Sequence, residues 1–110
     1  MGNGVYEINT HDLLPTLAGF AGASETRPKI FRVLVQRIRE RLGELTLDEL
    51  CELSVILRSF EGSFEGVYET MEPYLVSKIY SFTEDNLVSA LYGFYNPHLS
   101  KRFPLLDLLE

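Results

Sequence analysis

The sequence predicts an all-α fold, an α-solenoid of helix–turn–helix repeats. Three observations predict it: a self-match at an offset of 37 residues, apolar spacing of helical period inside each unit, and cap residues where each unit begins. The match aligns Ile8, Leu45 and Phe82, each followed by a residue suited to capping a helix, namely Asn9, Thr46 and Thr83. The units read as residues 8–44, 45–81 and an incomplete 82–110, about 2.5 copies in a single domain spanning residues 1–110.

Each unit opens with a helix. Leu13, Leu50 and Leu87 stand four residues after the caps and Phe20, Leu57 and Phe94 seven residues further on, with Leu17 and Leu91 between them in the outer copies. Such i, i+4, i+7 spacing draws one apolar stripe down a helix face. Thr46 with Glu49 reads as a capping box. In the first copy Pro15 would fall inside a helix begun at Asn9, so this helix is predicted to start late, with Asp12 as its cap and Pro15 in its first turn.

Breaker stretches follow at Gly22–Thr26, Glu61–Ser63 and Asn96–His98, and then a second apolar series. Phe31, Leu34, Ile38 and Leu42 precede Tyr68, Met71, Leu75 and Ile79 by the same 37 residues, and the third copy offers Leu105 and Leu108 at the matching places. Pro73 removes a backbone donor and crowds the carbonyl of Glu69, which predicts a kink or break in the second helix of copy two. Helix pairs of this kind cannot bury their apolar faces alone, so the units are expected to stack. The apolar run Phe103–Leu109 leaves the last unit open, and either further chain or another subunit is expected to cover it. Leu105, Leu106, Leu108 and Leu109 are the expected protein interface.

Composition fits one folded domain, with 45% hydrophobic residues and mean hydropathy +0.01. No apolar run approaches the ~20 residues that cross a bilayer, so membrane insertion is not expected. The single Cys51 cannot form an intramolecular disulfide, which points to a reducing compartment. The first residues carry neither a basic-then-apolar signal nor an Arg-rich presequence, and Tyr6 stands where a myristoylation start needs Ser or Thr.

The residues that carry chemistry elsewhere have structural explanations here. Cys51 shares its repeat position with Leu14 and Val88 and reads as a small buried hydrophobe. His11 and His98 lie far apart with no Cys or carboxylate at ligand spacing, so neither a metal site nor a cofactor is expected. His11 beside Asp12 reads as helix capping. The pairs Gly19 with Gly22 and Gly62 with Gly66 lack the strand and Lys of a phosphate loop and read as turns or close helix contacts. Glu61, Glu65, Glu69 and Glu72 read as a solvated helix face. With no catalytic constellation assembled, the chain is not expected to be an enzyme.

Charge gives the local clue to a partner. Six of the ten Lys and Arg residues fall between Arg27 and Arg41 in a chain of net charge −6. On a helix from about Pro28 to Leu42, Lys29, Arg32 and Arg39 share a stripe with Gln36, opposite Phe31, Leu34, Ile38 and Leu42. This rail, with Arg37 and Arg41, is the candidate surface for RNA or another partner. The competing reading pairs it with the eight Asp and Glu residues between Glu44 and Glu72.

The segments Thr46-Leu47-Asp48-Glu49-Leu50 and Thr83-Glu84-Asp85-Asn86-Leu87, with Leu91-Tyr92-Gly93-Phe94-Tyr95, resemble the heptatricopeptide- or octotricopeptide-like helical repeats of FAST-kinase-like and RAP-containing organellar proteins. The resemblance spans residues 8–110 and rests on degenerate helix signatures. It implies a mitochondrial location and a non-catalytic subunit of a mitochondrial ribosome or RNA-processing particle, contacting RNA through the Arg27–Arg41 helix and other protein subunits. These residues include neither a RAP domain nor a kinase-like region. The alternative is a protein-binding accessory subunit of a respiratory complex, docking through its Leu105–Leu109 end and acidic face.

Overall fold

Two matching capping boxes start the central helices. Thr46 Oγ1 accepts from the Glu49 amide at 3.2 Å while the Glu49 carboxylate accepts from the Thr46 amide at 2.9 Å. Thr83 and Asn86 repeat the exchange, both bonds at 3.1 Å. Each box satisfies backbone donors that a helix start otherwise leaves unpaired. The computed structural model describes residues 10–22, 28–59 and 64–110, with side chains described at 12–19, 32–59 and 64–110. Its elements are α1 (Thr10–Gly22), α2 (Pro28–Glu40), α3 (Leu47–Arg58), α4 (Glu65–Ser77), α5 (Glu84–Phe94) and α6 (Pro104–Leu109). Short 3₁₀ turns, Leu42–Glu44 and Ile79–Ser81, follow α2 and α4. The described residues are all-helical and contain no strand.

Element starts recur at the sequence offset. α1, α3 and α5 begin at Thr10, Leu47 and Glu84, α2 and α4 at Pro28 and Glu65, and the two 3₁₀ turns at Leu42 and Ile79. The expectation for Pro15 and that of a break at Pro73 are corrected. α1 begins at Thr10, before Asp12, so Asp12 lies in the first turn and is not the cap; Pro15 is enclosed in the helix. Thr16 Oγ1 donates to the Asp12 carbonyl at 2.9 Å in the same turn. α4 continues through Pro73 to Ser77 without a break. Tyr68, Met71 and Leu75 are fully buried on both sides of Pro73, and this packing outweighs the one lost backbone bond.

The first helices of the units lie side by side, α1 on α3 and α3 on α5, and the second helices follow, α2 on α4 and α4 on α6. Within units, α1 packs on α2, α3 on α4 and α5 on α6. The extents are 45 × 26 × 21 Å and the radius of gyration 13.6 Å, near the ~13 Å of a compact chain of this length. Leu13, Leu17, Leu50, Leu53 and Leu57 of the first helices and Leu34, Ile38, Tyr68, Met71 and Leu75 of the second join one buried core.

The closest helix contact is α3 against α5. A Cβ added at Gly93 would stand 2.7 Å from the carbonyl carbon of Ser54, so only a glycine hydrogen fits between the backbones. Ser54 is itself buried, its hydroxyl donating to the Cys51 carbonyl at 2.7 Å. Below it, the buried Tyr68 hydroxyl donates to the Ser54 carbonyl at 2.7 Å and accepts from Asn96 Nδ2 at 3.2 Å. Asn96 Oδ1 in turn accepts from the His98 amide at 2.8 Å, so one polar chain joins α3, α4 and the turn after α5. Burial is the main force raising the Tyr68 phenol to about 12. Edge-on ring contacts close this core, Tyr68 with Phe94 at 4.9 Å and Phe94 with Phe103 at 5.4 Å.

The acidic stripe of α4 faces solvent at Glu69, as read, and also anchors a neighbouring segment. Glu65 accepts from the Ser100 amide and hydroxyl at 2.8 Å, Glu69 pairs with Lys101 at 2.8 Å, and Glu72 accepts from the Leu105 amide at 2.8 Å. These three residues at i, i+4, i+7 hold the segment that leads into α6. Phe103 gives α6 no side-chain cap, and Glu72 supplies a bond to the helix start from a neighbouring element. At the far end of α6, Arg102 pairs with Asp107 at 3.0 Å and Glu110 at 2.6 Å, and Tyr95 hydrogen-bonds to Glu110. Glu61 lies outside the described residues.

Candidate macromolecular interface

The sequence-predicted cations divide by environment. Arg32 and Arg39 are exposed, two turns apart on α2, and with Gln36 and Val35 they form one wall of an open groove of about 280 Å³. Phe64, Gly66 and Val67 at the start of α4 form the other wall. The helical period explains the first wall, since positions 32, 36 and 39 project from the side opposite Leu34, Ile38 and Leu42, which are buried. The second wall depends on an unusual entry into α4. Phe64, at the N-cap, holds a left-handed backbone (φ 43°) that turns the chain into the helix with the aromatic ring half-buried at the groove. The Arg39 guanidinium lies over Gly66, where an added Cβ would stand in ordinary contact with it at 3.4 Å.

Arg37 is turned away from this groove's lining, half-buried, with Glu40 at 4.0 Å. Glu40 also accepts from Gln36 Nε2 at 3.1 Å. Arg41 is half-buried in the turn beyond α2. Lys29 belongs to α2, but its side chain, and Arg27 altogether, lie outside the described residues. The structure therefore brings together Arg32 and Arg39, and adds Phe64, Gly66 and Val67. Sequence reasoning missed these three because the groove joins two units. The available signal was the repeat itself, which sets α4 beside α2.

The other predicted interface divides too. Leu105 and Leu106 are fully buried within the chain, on a helix packed against α4 and α5, so they are core residues and not an interface. Leu108 is exposed and Leu109 half-buried. Val88 on α5 is exposed, as are Tyr92 and, just beyond the helix, Tyr95, whose rings lie under the guanidinium groups of Arg58 at 3.9 Å and Arg102 at 5.6 Å.

A second open groove, about 530 Å³, runs between α3 and α5 and is lined by Asp48, Cys51, Glu52, Asp85, Asn86 and Ser89 among others. Asp48 accepts from Asn86 Nδ2 at 2.6 Å across it. Cys51 is buried, and its thiol is pushed up to about 12, first by burial and then by the charge of Asp48. It is thus a protonated thiol at neutral pH and a poor nucleophile. Among the described residues no group of three His, Cys, Asp or Glu stands close enough to hold a metal ion, and no helix is long and apolar enough to cross a membrane. No family model, curated protein or solved structure matches the chain.

Proposed function

We propose that this chain is a non-catalytic stack of helical hairpins that attaches to a larger assembly, and that the groove between α2 and α4 is its RNA contact. One observation carries the proposal: Arg32 and Arg39 are exposed and line the same groove as the Phe64 ring. Two guanidinium groups two turns apart on one helix face suit successive phosphates. The net charge of −6 argues against a general polyanion binder. The resemblance to heptatricopeptide-like repeats supports RNA as the anion and a mitochondrial ribosome or RNA-processing particle as the assembly.

Fluorescence anisotropy with a labelled single-stranded RNA of about 20 nucleotides tests this. Two phosphate contacts predict roughly a sevenfold loss of affinity between about 50 and 200 mM salt. Replacing Arg32 and Arg39 together by Gln should weaken binding at least about tenfold, whereas Arg37→Gln should change it little because Arg37 lies beside Glu40. Equal affinities for the wild type and the double variant would sink the RNA contact.

A further inference from the structure

We propose that Ser100 is a phosphorylation site, and that a phosphate on its hydroxyl loosens residues 100–105 from α4. A kinase transfers the terminal phosphoryl group of a nucleoside triphosphate to Ser100 Oγ. The new P–O bond replaces the one to the nucleoside diphosphate, which leaves with its electron pair while the hydroxyl proton is released. Ser100 is exposed and lies between α5 and α6 in residues 95–103, which carry no helix. Irregular surface backbone of this kind can enter another protein's cleft without breaking a helix. Lys101 and Arg102 follow directly, and both stay exposed although each holds a carboxylate, Glu69 at 2.8 Å and Asp107 at 3.0 Å. Exposed pairs contribute little, so these two cations remain open to an acidic kinase surface.

The Ser100 hydroxyl ties two elements together. It donates to both Glu65 carboxylate oxygens at 2.8 Å, and the Ser100 amide donates to the same group at 2.8 Å. The hydroxyls of Thr16, Ser54, Thr70 and Ser77 instead donate to carbonyls of their own helices, and those of Thr46 and Thr83 cap theirs. A phosphate at Ser100 removes the donor and sets about two negative charges against Glu65. Glu69 and Glu72 follow Glu65 on α4, and Lys101 already faces all three carboxylates. Arg102 is turned to Asp107 and Glu110. Like-charge repulsion therefore outweighs new pairing, and the Ser100 amide loses its acceptor. Phe103, Leu105 and Leu106 stay held by burial, so the segment opens more often but α6 is not expelled. The opening gives access to the contact between the Phe94 and Phe103 rings.

The test has two arms, both on the full chain. In the first, the chain is incubated with ATP and a serine kinase that selects basic residues after its target, and mass spectrometry locates the product. Phosphate at Ser100 is expected; phosphate only elsewhere, or none, would overturn the site. In the second, phosphoserine is installed at position 100 during synthesis and amide exchange is followed by NMR, with rates referred to a matching phosphorylated peptide. Protection of the Ser100 and Leu105 amides should fall at least about tenfold while that of α3 is unchanged. Ser100→Ala loses the hydroxyl but adds no charge, so it should lower protection less. Glu65→Gln in the phosphorylated chain should restore part of the protection, because its amide can donate to the phosphate. Equal protection in the phosphorylated and unmodified chains, or in the phosphorylated and Ser100→Ala chains, would overturn the release. So would an effect that Glu65→Gln leaves unaltered, or one that extends equally to α3.

Discussion

Gly93 decides how closely two units approach. Its missing side chain is what lets α5 rest on the Ser54 backbone, so Gly93→Ala must separate the helices or distort one of them. Gains in helix propensity from the added methyl are under about 1 kcal/mol, smaller than the usual cost of overpacking. We expect a net loss of about 1–3 kcal/mol and a thermal midpoint lowered by several degrees; a midpoint at or above the wild type would show that α5 does not sit on Ser54. Gly19, at the same repeat position, has no atom within 4 Å of an added Cβ, so Gly19→Ala should be neutral or mildly stabilising at that site. The sequence makes these two glycines look alike. Among the described residues Gly93 rests on another helix's backbone and Gly19 does not, a difference that lies in packing rather than in local pattern.

Among the elements, α4 connects the most distant parts of the chain. Its buried face holds Tyr68, Met71 and Leu75, while Glu65, Glu69 and Glu72 tie down residues 100–105. The bonds from Ser100 hold the Glu65 carboxyl below its ordinary value of 4.5. A carboxylate whose folded value is depressed contributes stability above its unfolded value and loses it as pH falls through the folded one. Acidification below about 4.5 should therefore release the 100–105 segment, seen as a shift of the Ser100 amide signal and faster hydrogen exchange there; Glu65→Gln should abolish that titration. A Ser100 signal that follows the same acid titration in both proteins would assign the effect to another group. Local signals made the helix starts legible, because Thr46 with Glu49 and Thr83 with Asn86 are complete within four residues. The role of the glutamates was not legible, since an i, i+4, i+7 carboxylate stripe has the same pattern whether water or a distant backbone satisfies it. Leu105 and Leu106 were misplaced for a related reason: a short apolar run does not reveal which of its residues turn inward.

At the scale of the whole molecule, an offset of 37 residues relates the starts of α1, α3 and α5, of α2 and α4, and of the two 3₁₀ turns, while α6 starts 39 residues after α4. A stack differs from a closed globule in its energetics, because each unit is held only by the units beside it and the ends have one neighbour instead of two. α3 lies in the middle, in contact with α1, α4 and α5, whereas α6 is a six-residue helix on the rim. The groove lined by Arg32 and Arg39 lies where α2 and α4 meet. Native-state hydrogen exchange of the full chain tests the stack most directly. The account predicts graded opening, with buried amides of α3 the slowest and those of α1 and α6 opening at free energies at least about 1 kcal/mol lower. A single opening free energy shared by all protected amides from α1 to α6 would contradict it.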